Sequence, residues 1–267
     1  MKAKRCVLTL LEHNEGLARL LGSELQGMGL DVAAHFWTPG PDAAGALLAE
    51  LARPETDGWL VAGSCRALSE PAVMRGLSLA LLGAQAVHGA GFPVVISPDG
   101  ASLSAALPTP FAQAAVARHA PAARMVARLH MPSAGAPATY RLNVHCLPGL
   151  GIWLEAGPAG ERWRGAFMGV LGCDESGDAV RPLAHGVGPA GGIPARCTLE
   201  RPVQGMRMAA SRGEFEAWGV HNMLDDACSY YVKLSGMPDA LAFGPFPDVD
   251  DPEVRMVTLA GPPAPTC

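Results

Sequence analysis

The chain has 267 residues, of which 49% are hydrophobic and 17% are charged. This length suits two domains, and the apolar content is sufficient for packed cores, so the composition excludes a largely disordered protein. The formal net charge is −5, with no basic stripe, which argues against nucleic acid as a partner. No uncharged apolar run is long enough to span a bilayer, so we expect no membrane partner.

The cysteines are scattered along the chain and never form a CxxC pair. Their odd number and wide spacing are not typical of a disulfide scaffold or a zinc knuckle. We therefore expect reduced thiols in the cytoplasm, packed as small hydrophobic side chains, and no bound metal. The cysteines are Cys6, Cys65, Cys146, Cys173, Cys197, Cys228 and Cys267.

The first half of the chain alternates short apolar runs with amphipathic segments. Strands are predicted over residues 6–11, 30–37, 58–62 and 92–97, and the continuous apolar run 58–62 suits burial on both faces of a sheet. Helices are predicted between the cap Asn14 and the stop Gly29, and over residues 42–52, 71–88 and 110–119. Residues 123–131 fit either a fifth strand or a helix. Strands that alternate with helices in this way predict right-handed crossovers and a doubly wound parallel sheet.

The second half has a different pattern, which begins after residues 132–138. That stretch is rich in proline, glycine and alanine and indicates a linker between domains of residues 1–131 and 139–260. Beyond it, short apolar runs are cut by glycine and proline, a pattern typical of an antiparallel β-sandwich or barrel. The predicted strands cover residues 140–146, 151–155, 163–171, 196–200, 205–210, 214–220, 230–234 and 254–259.

The loop after the third predicted strand carries small and polar residues, among them Ser64, Cys65 and Arg66. In open α/β sheets, ligands bind at the carboxyl ends of the strands. We therefore expect the functional surface around residues 64–75. Glu12 and His13 are expected to approach this surface from the end of the first strand.

Residues 5–97, about a third of the chain, resemble a Toll/interleukin-1-receptor (TIR) domain, which has a flavodoxin-like architecture. EHNEGLARLLGSELQGMGLDV resembles that family's first loop, helix and second strand, and FWTPGPD resembles its Pro-Gly "BB" loop. LLAELARPETDGWLVAGSCRALSEPAVMRGLSLAL resembles the helix, the third strand, the serine-containing loop and the next helix. FPVVISPDG resembles the fourth strand.

This resemblance implies two kinds of activity. TIR domains associate with one another in signalling or, in many bacterial and plant versions, cleave the nicotinamide–ribose bond of NAD. The enzymatic ones use a glutamate in the helix after the serine loop, where this chain has Arg75 and Gly76. The resemblance therefore implies a signalling, interaction or nucleotide-sensing module without efficient catalysis, which binds a protein partner, itself or a nucleotide such as NAD. The residues implied for ligand or partner contact are Glu12, His13, Trp37, Pro39, Gly40, Ser64, Arg66, Ser69, Arg75 and Ser97.

Two alternatives keep a catalytic role. Glu70, at the start of that helix, can stabilise an oxocarbenium ion or hold ribose hydroxyls, which predicts NAD or nucleotide glycosidic cleavage. An anion favoured by the helix dipole explains the same residue without catalysis. Cys65 can act as the nucleophile of a hydrolase or as a redox sensor. However, nucleophile elbows run straight into a helix, and residues 66–70 intervene here.

Other cofactors have weaker support in the sequence. A flavodoxin holds the FMN phosphate with a glycine- and hydroxyl-rich loop, and LLEHNEG lacks that composition, so flavin is not expected. A receiver phosphoacceptor needs an aspartate at the end of the third strand, where this chain has Ala62. An acidic stretch near the C-terminus lacks the glycine and the frame of a calcium loop. Its residues are Asp248, Asp250, Asp251 and Glu253.

Overall fold

The computed structural model describes residues 3–38, 40, 42–99, 106–131, 139–174, 176–246 and 253–261. The predicted linker of residues 132–138 lies outside these ranges. Pro39 and the acidic residues Asp248, Asp250 and Asp251 also lie outside them. The chain divides into two compact units, one of Met1–Ala136 with Gly261–Cys267 and the other of Pro137–Ala260.

The first unit contains a five-stranded parallel sheet with helices, which confirms the predicted α/β class. The strands are β1 (Arg5–Leu10), β2 (Asp31–Phe36), β3 (Thr56–Ser64), β4 (Val94–Asp99) and β5 (Ala115–Val116). The helices are α1 (Glu15–Gly27), α2 (Ala43–Leu51), α3 (Pro71–His88) and α4 (Pro121–His130). The strand order β2-β1-β3-β4-β5 is that of flavodoxin-like doubly wound folds.

The sheet of the first unit is covered on both faces, because successive strand side chains point to opposite sides. Val7 and Trp59 belong to one buried cluster, which includes side chains of α2 and α3. Leu8 and Leu60 belong to a second cluster, with side chains of α1 and α4. This double burial explains why the strands read as continuous apolar runs.

The helix α1 begins at the predicted cap. The side chain of Asn14 accepts a hydrogen bond from the backbone N–H of Leu17 at 3.0 Å. It thereby satisfies one of the backbone donors that a helix leaves unpaired at its first turn.

The predicted helix over residues 110–119 is wrong. A short 3-10 turn, Thr109–Phe111, and the two-residue strand β5 occupy this segment. Phe111 is buried with its ring 5.8 Å from that of Trp59, so tertiary packing decides the local conformation. Residues 123–131, which were ambiguous, lie mostly within α4, where Met125 and Leu129 are one turn apart and face the core.

The second unit consists of two antiparallel sheets, which confirms the predicted all-β class. The four-stranded sheet has the order β6-β7-β12-β9 and the five-stranded sheet the order β10-β11-β8-β13-β14. Rings from the two sheets meet at Tyr140–Phe243 and at His185–Trp218, with centroids 5.2 Å and 5.0 Å apart, so the sheets pack as a sandwich. The strands are β6 (Tyr140–Leu147), β7 (Gly151–Pro158), β8 (Trp163–Leu171), β9 (Pro182–Pro189), β10 (Val203–Ala210), β11 (Gly213–Leu224), β12 (Cys228–Leu234), β13 (Ala240–Gly244) and β14 (Arg255–Thr258).

The sequence pattern missed β9 and β13 and placed a strand wrongly over residues 196–200. In the described structure only a single bridge, Val187 to Thr198, joins that segment to β9. Glycine has a packing role in β9. A Cβ at Gly186 would overlap the Cβ of Cys197 and lie 2.8 Å from its Sγ. The strand therefore needs glycine where another segment crosses it closely.

We expect Gly186→Ala to lower the free energy of unfolding by about 1–3 kcal/mol, because the added methyl group overpacks this crossing. The measurement is urea-induced unfolding. Gly192→Ala is the matched control, since a Cβ at that position meets nothing within 4 Å. Cys197→Gly combined with Gly186→Ala should recover part of the loss. Equal stability of the Gly186 and Gly192 variants would contradict the close approach.

Candidate functional site at the ends of β1 and β3

A crevice is expected in the first unit where the strand order changes direction, between the neighbouring strands β1 and β3. The chain leaves β1 toward α1 and leaves β3 toward α3, and these helices pack on opposite faces of the sheet. The segments that follow the two strands therefore border the same opening. These segments contain most of the residues that the sequence singled out.

Glu12 and Ser64 are hydrogen-bonded across this opening. The Glu12 carboxylate accepts the backbone N–H of Ser64 at 3.0 Å and also accepts the Ser64 hydroxyl. The Ser64 hydroxyl oxygen in turn accepts the backbone N–H of Ala67 at 3.1 Å. The carboxylate thus holds the first turn of the loop after β3, and the two predicted site residues are in direct contact.

The position of this carboxylate limits the chemistry of a ligand. A flavodoxin-type site presents free backbone N–H groups to a phosphate. Here Glu12 takes the N–H of Ser64 and places a negative charge at that point. Like charges repel, so this point favours ligand groups that donate hydrogen bonds, such as hydroxyls, over a phosphate.

His13 extends the rim of the opening toward β2. Its ring stacks on that of Phe36, with the centroids 4.4 Å apart and an interplanar angle of 28°. His13 is exposed and Phe36 is partly buried, so the stack presents one imidazole face to solvent.

Gly76, one of the two α3 positions that the TIR resemblance aligns with a glutamate, is closed by an aromatic ring. A Cβ at Gly76 would lie 2.7 Å from the Cη2 atom of Trp37, which is itself 9% exposed. The neighbouring Arg75 is 8% exposed. A carboxylate at Gly76 would therefore need the indole to move, and in this structure α3 presents no acid at that place.

The loop between β3 and α3 contains the two residues of the catalytic alternatives. The Cys65 backbone N–H donates to the Asp99 carbonyl at 3.3 Å, and its carbonyl accepts the Ser69 hydroxyl at 2.7 Å. A 3-10 turn, Ala67–Ser69, then separates Cys65 from α3. Glu70 is exposed at the N-cap of α3, and its side chain makes no capping hydrogen bond.

The remaining predicted residues are less closely gathered. Arg66 is exposed at the start of the 3-10 turn, and Gly40 lies just before α2. Ser97 is not the last residue of β4, as the sequence suggested, because the strand continues to Asp99. Ser97 is half-buried and lies beside Ala62 of β3. Pro39 is outside the described residues.

An open pocket of about 520 Å³ lies along the edge of the sheet, between β2 and α2. His35 and Glu50 supply its titratable groups, and Ala33, Leu47 and Trp37 supply apolar lining. Burial lowers the pKa of His35, partly offset by the nearby Glu50 carboxylate. Trp37 therefore contacts both this pocket and α3.

Sequence reasoning missed a buried carboxylate in the second unit. Glu155 of β7 is 2% exposed, and it pairs with Nε2 of His145 on β6 at 2.8 Å. It also accepts the backbone N–H of Gly191 at 2.8 Å. Burial raises the pKa of Glu155, but hydrogen bonds from His145, Gly191 and Ser229 outweigh burial and hold the pKa at about 2. The available signal was an acid inside an apolar strand, with a histidine on the paired strand.

Within the ranges that the structure describes, no three His, Cys, Asp or Glu side chains converge on a position for a metal ion. None of the described helices is both long enough and apolar enough to cross a membrane.

No family model matches the chain, and no curated protein matches it.

We expect Gly76→Ala to lower the thermal unfolding midpoint of the chain, because its methyl group would press on the buried indole of Trp37. The control is Gly22→Ala in α1, where a Cβ meets nothing within 4 Å. That change should raise stability by about 0.5–1 kcal/mol, since alanine loses less entropy in a helix. Calorimetry distinguishes the two signs. An equal gain in both variants would contradict the tight packing at Gly76.

We expect Glu155→Gln to lower stability at neutral pH by about 1–3 kcal/mol, because it removes charged hydrogen bonds from a buried site. The native pKa of about 2 lies below the ordinary 4.5. The stabilisation is therefore complete above pH 4.5 and is lost as pH falls through 2. Urea unfolding from pH 7 to pH 2 should show a flatter acid dependence in this variant. The exposed Glu161→Gln should leave the slope unchanged, and an unchanged slope in Glu155→Gln would contradict the assignment.

Proposed function

We propose that the first unit is a TIR-like binding module that senses a hydroxyl-bearing nucleotide such as NAD, or a protein partner, without efficiently cleaving NAD. The position of Trp37 is the observation that carries this proposal. Its indole lies against Gly76, which together with Arg75 matches the glutamate position of the enzymatic TIR domains in the resemblance. The geometry thus supports recognition at the crevice and gives α3 no acid for the cleavage step.

The ligand half of the proposal rests on Glu12 and Ser64. A carboxylate fixed by a backbone N–H and a hydroxyl is a suitable acceptor for the paired hydroxyls of a ribose. The same charge disfavours a free phosphate at that point, so we place the sugar there, with any phosphate elsewhere.

We propose a cytoplasmic location and an interaction role for the whole chain. No disulfide joins cysteines of the described residues, which fits a reducing compartment. In this proposal the second unit serves as a sensor, an oligomerisation surface or a partner-binding module. The acidic balance of residues 133–267 favours a neutral or cationic partner.

A catalytic alternative is supported by Glu70, which is exposed and whose side chain makes no capping hydrogen bond. In that alternative Glu70 replaces the missing acid and the chain is an NAD or nucleotide glycohydrolase. This alternative requires the ribose to bind at the start of α3, next to Glu70, rather than beside the interior of the helix.

The test is to incubate the purified chain with NAD and to measure both nicotinamide release and NAD binding by calorimetry. We expect binding without release, and about tenfold weaker binding in Glu12→Gln, since a charged hydrogen-bond acceptor is lost. Glu24→Gln, a change of an exposed acid on α1, is the control and should bind as the parent does.

Nicotinamide release at about 1 per second, a low-normal enzymatic rate, would overturn the non-catalytic proposal. If Glu70→Gln then abolished this release, the glycohydrolase would be established. Absence of NAD binding would remove NAD as the ligand and would leave the protein-interaction role to be tested by measuring self-association.

A further inference from the structure

A second open pocket, of about 500 Å³, lies within the second unit. It forms where residues 196–200 return to the edge of β9. Val187 and Thr198 exchange backbone hydrogen bonds of 3.0 Å and 2.9 Å there. On its other side the pocket is bounded by Asn222 and Met223 of β11 and by Cys228 at the start of β12. This volume is within the range of small-molecule sites.

Two opposite charges line this pocket from one short segment. Arg196, Thr198 and Glu200 all line the pocket, and all three are exposed. Within the described parts of the chain, neither Arg196 nor Glu200 forms an ion pair.

A buried amide lies between the two charges. Asn222 is 5% exposed, and its Oδ1 accepts the backbone N–H of Glu200 at 2.8 Å. Because this atom must be the acceptor, the other amide atom is Nδ2, which donates to the Thr198 hydroxyl at 3.2 Å. Each group then keeps one further hydrogen, and both residues line the pocket.

The pocket also offers apolar contact. Met223 is 55% exposed although it is a large hydrophobic residue, and Val187 forms part of the lining. A methionine side chain adapts readily to ligands of different shape. The pocket thus combines a cation, an anion, neutral donors and a flexible apolar surface.

We propose that this pocket binds a small zwitterion of amino-acid to dipeptide size, with the ligand carboxylate on Arg196 and the ligand ammonium on Glu200. A simple anion would face Glu200 and a simple cation would face Arg196, so each would meet a repulsive charge. A ligand that carries both charges meets an opposite charge at each end. The donors of Asn222 and Thr198 suit the carbonyl of a peptide bond. This site does not depend on the function proposed for the first unit.

The test uses the dipeptide glycyl-leucine, with its N-acetylated and C-amidated forms as matched ligands that each lack one charge. Calorimetry on the full chain should detect the parent dipeptide and should show binding at least about tenfold weaker for each blocked form. Arg196→Gln and Glu200→Gln should each weaken binding of the parent dipeptide to a similar degree. Arg181→Gln and Glu161→Gln change exposed charges that do not line the pocket, and they should have no effect.

A crossed comparison sharpens the assignment. Arg196→Gln should bind the parent and the amidated dipeptide equally, because this variant has already lost the contact with the dipeptide carboxylate. Glu200→Gln should bind the parent and the acetylated dipeptide equally. Circular dichroism checks that each variant is folded. No binding of glycyl-leucine at about 10 mM, weaker than any useful affinity, would overturn the proposal. Equal affinity for the parent and both blocked forms, or binding unchanged in both glutamine variants, would also overturn it.

Discussion

The parallel pairing of β1 with β3 is the constraint on which the candidate site depends. Leu10 lies beside Ala62, and the Leu11 N–H donates to the Ala62 carbonyl at 2.9 Å, so the next residues of both strands emerge at the same level. A slip by one residue would exchange the side chains that β1 packs against α2 and α3 with those that it packs against α1 and α4, which would disrupt both buried clusters. Because this register fixes the relative positions of the two strand ends, Glu12 lies within hydrogen-bonding distance of Ser64.

The first unit places a carboxylate where β1 and β3 end and no carboxylate in the interior of α3. Glu12 is bound by the loop it faces, whereas the interior of α3 carries a glycine under an indole. In the proposed function, Glu12 is the recognition group and the position in α3 has no catalytic acid. The pocket of the second unit differs from this crevice, since both of its charges come from one short segment, residues 196–200, rather than from the ends of separate strands.

The fold class followed from the sequence because burial leaves a strong pattern. Strands covered on both faces appear as apolar runs, and the change to short alternating runs after residue 138 marks the β unit. The approach of Glu12 to the loop around Ser64 was also predicted, since both residues follow predicted strands. The roles of Gly76 and Gly186 were not found, because a glycine required by a distant side chain looks the same in sequence as a glycine in a turn. The role of Glu155 was not predicted either, because its hydrogen-bond partners His145, Gly191 and Ser229 come from three separate segments.

The contact between Trp37 and Gly76 has an optical consequence. With no side chain on the glycine, the indole lies directly against the backbone of α3. Trp37 also follows β2 directly and precedes the loop before α2. A displacement of α3 or of that loop would therefore alter the surroundings of the indole. The absorption and emission of the Trp37 indole therefore respond to changes in how α3 packs against this edge of the sheet.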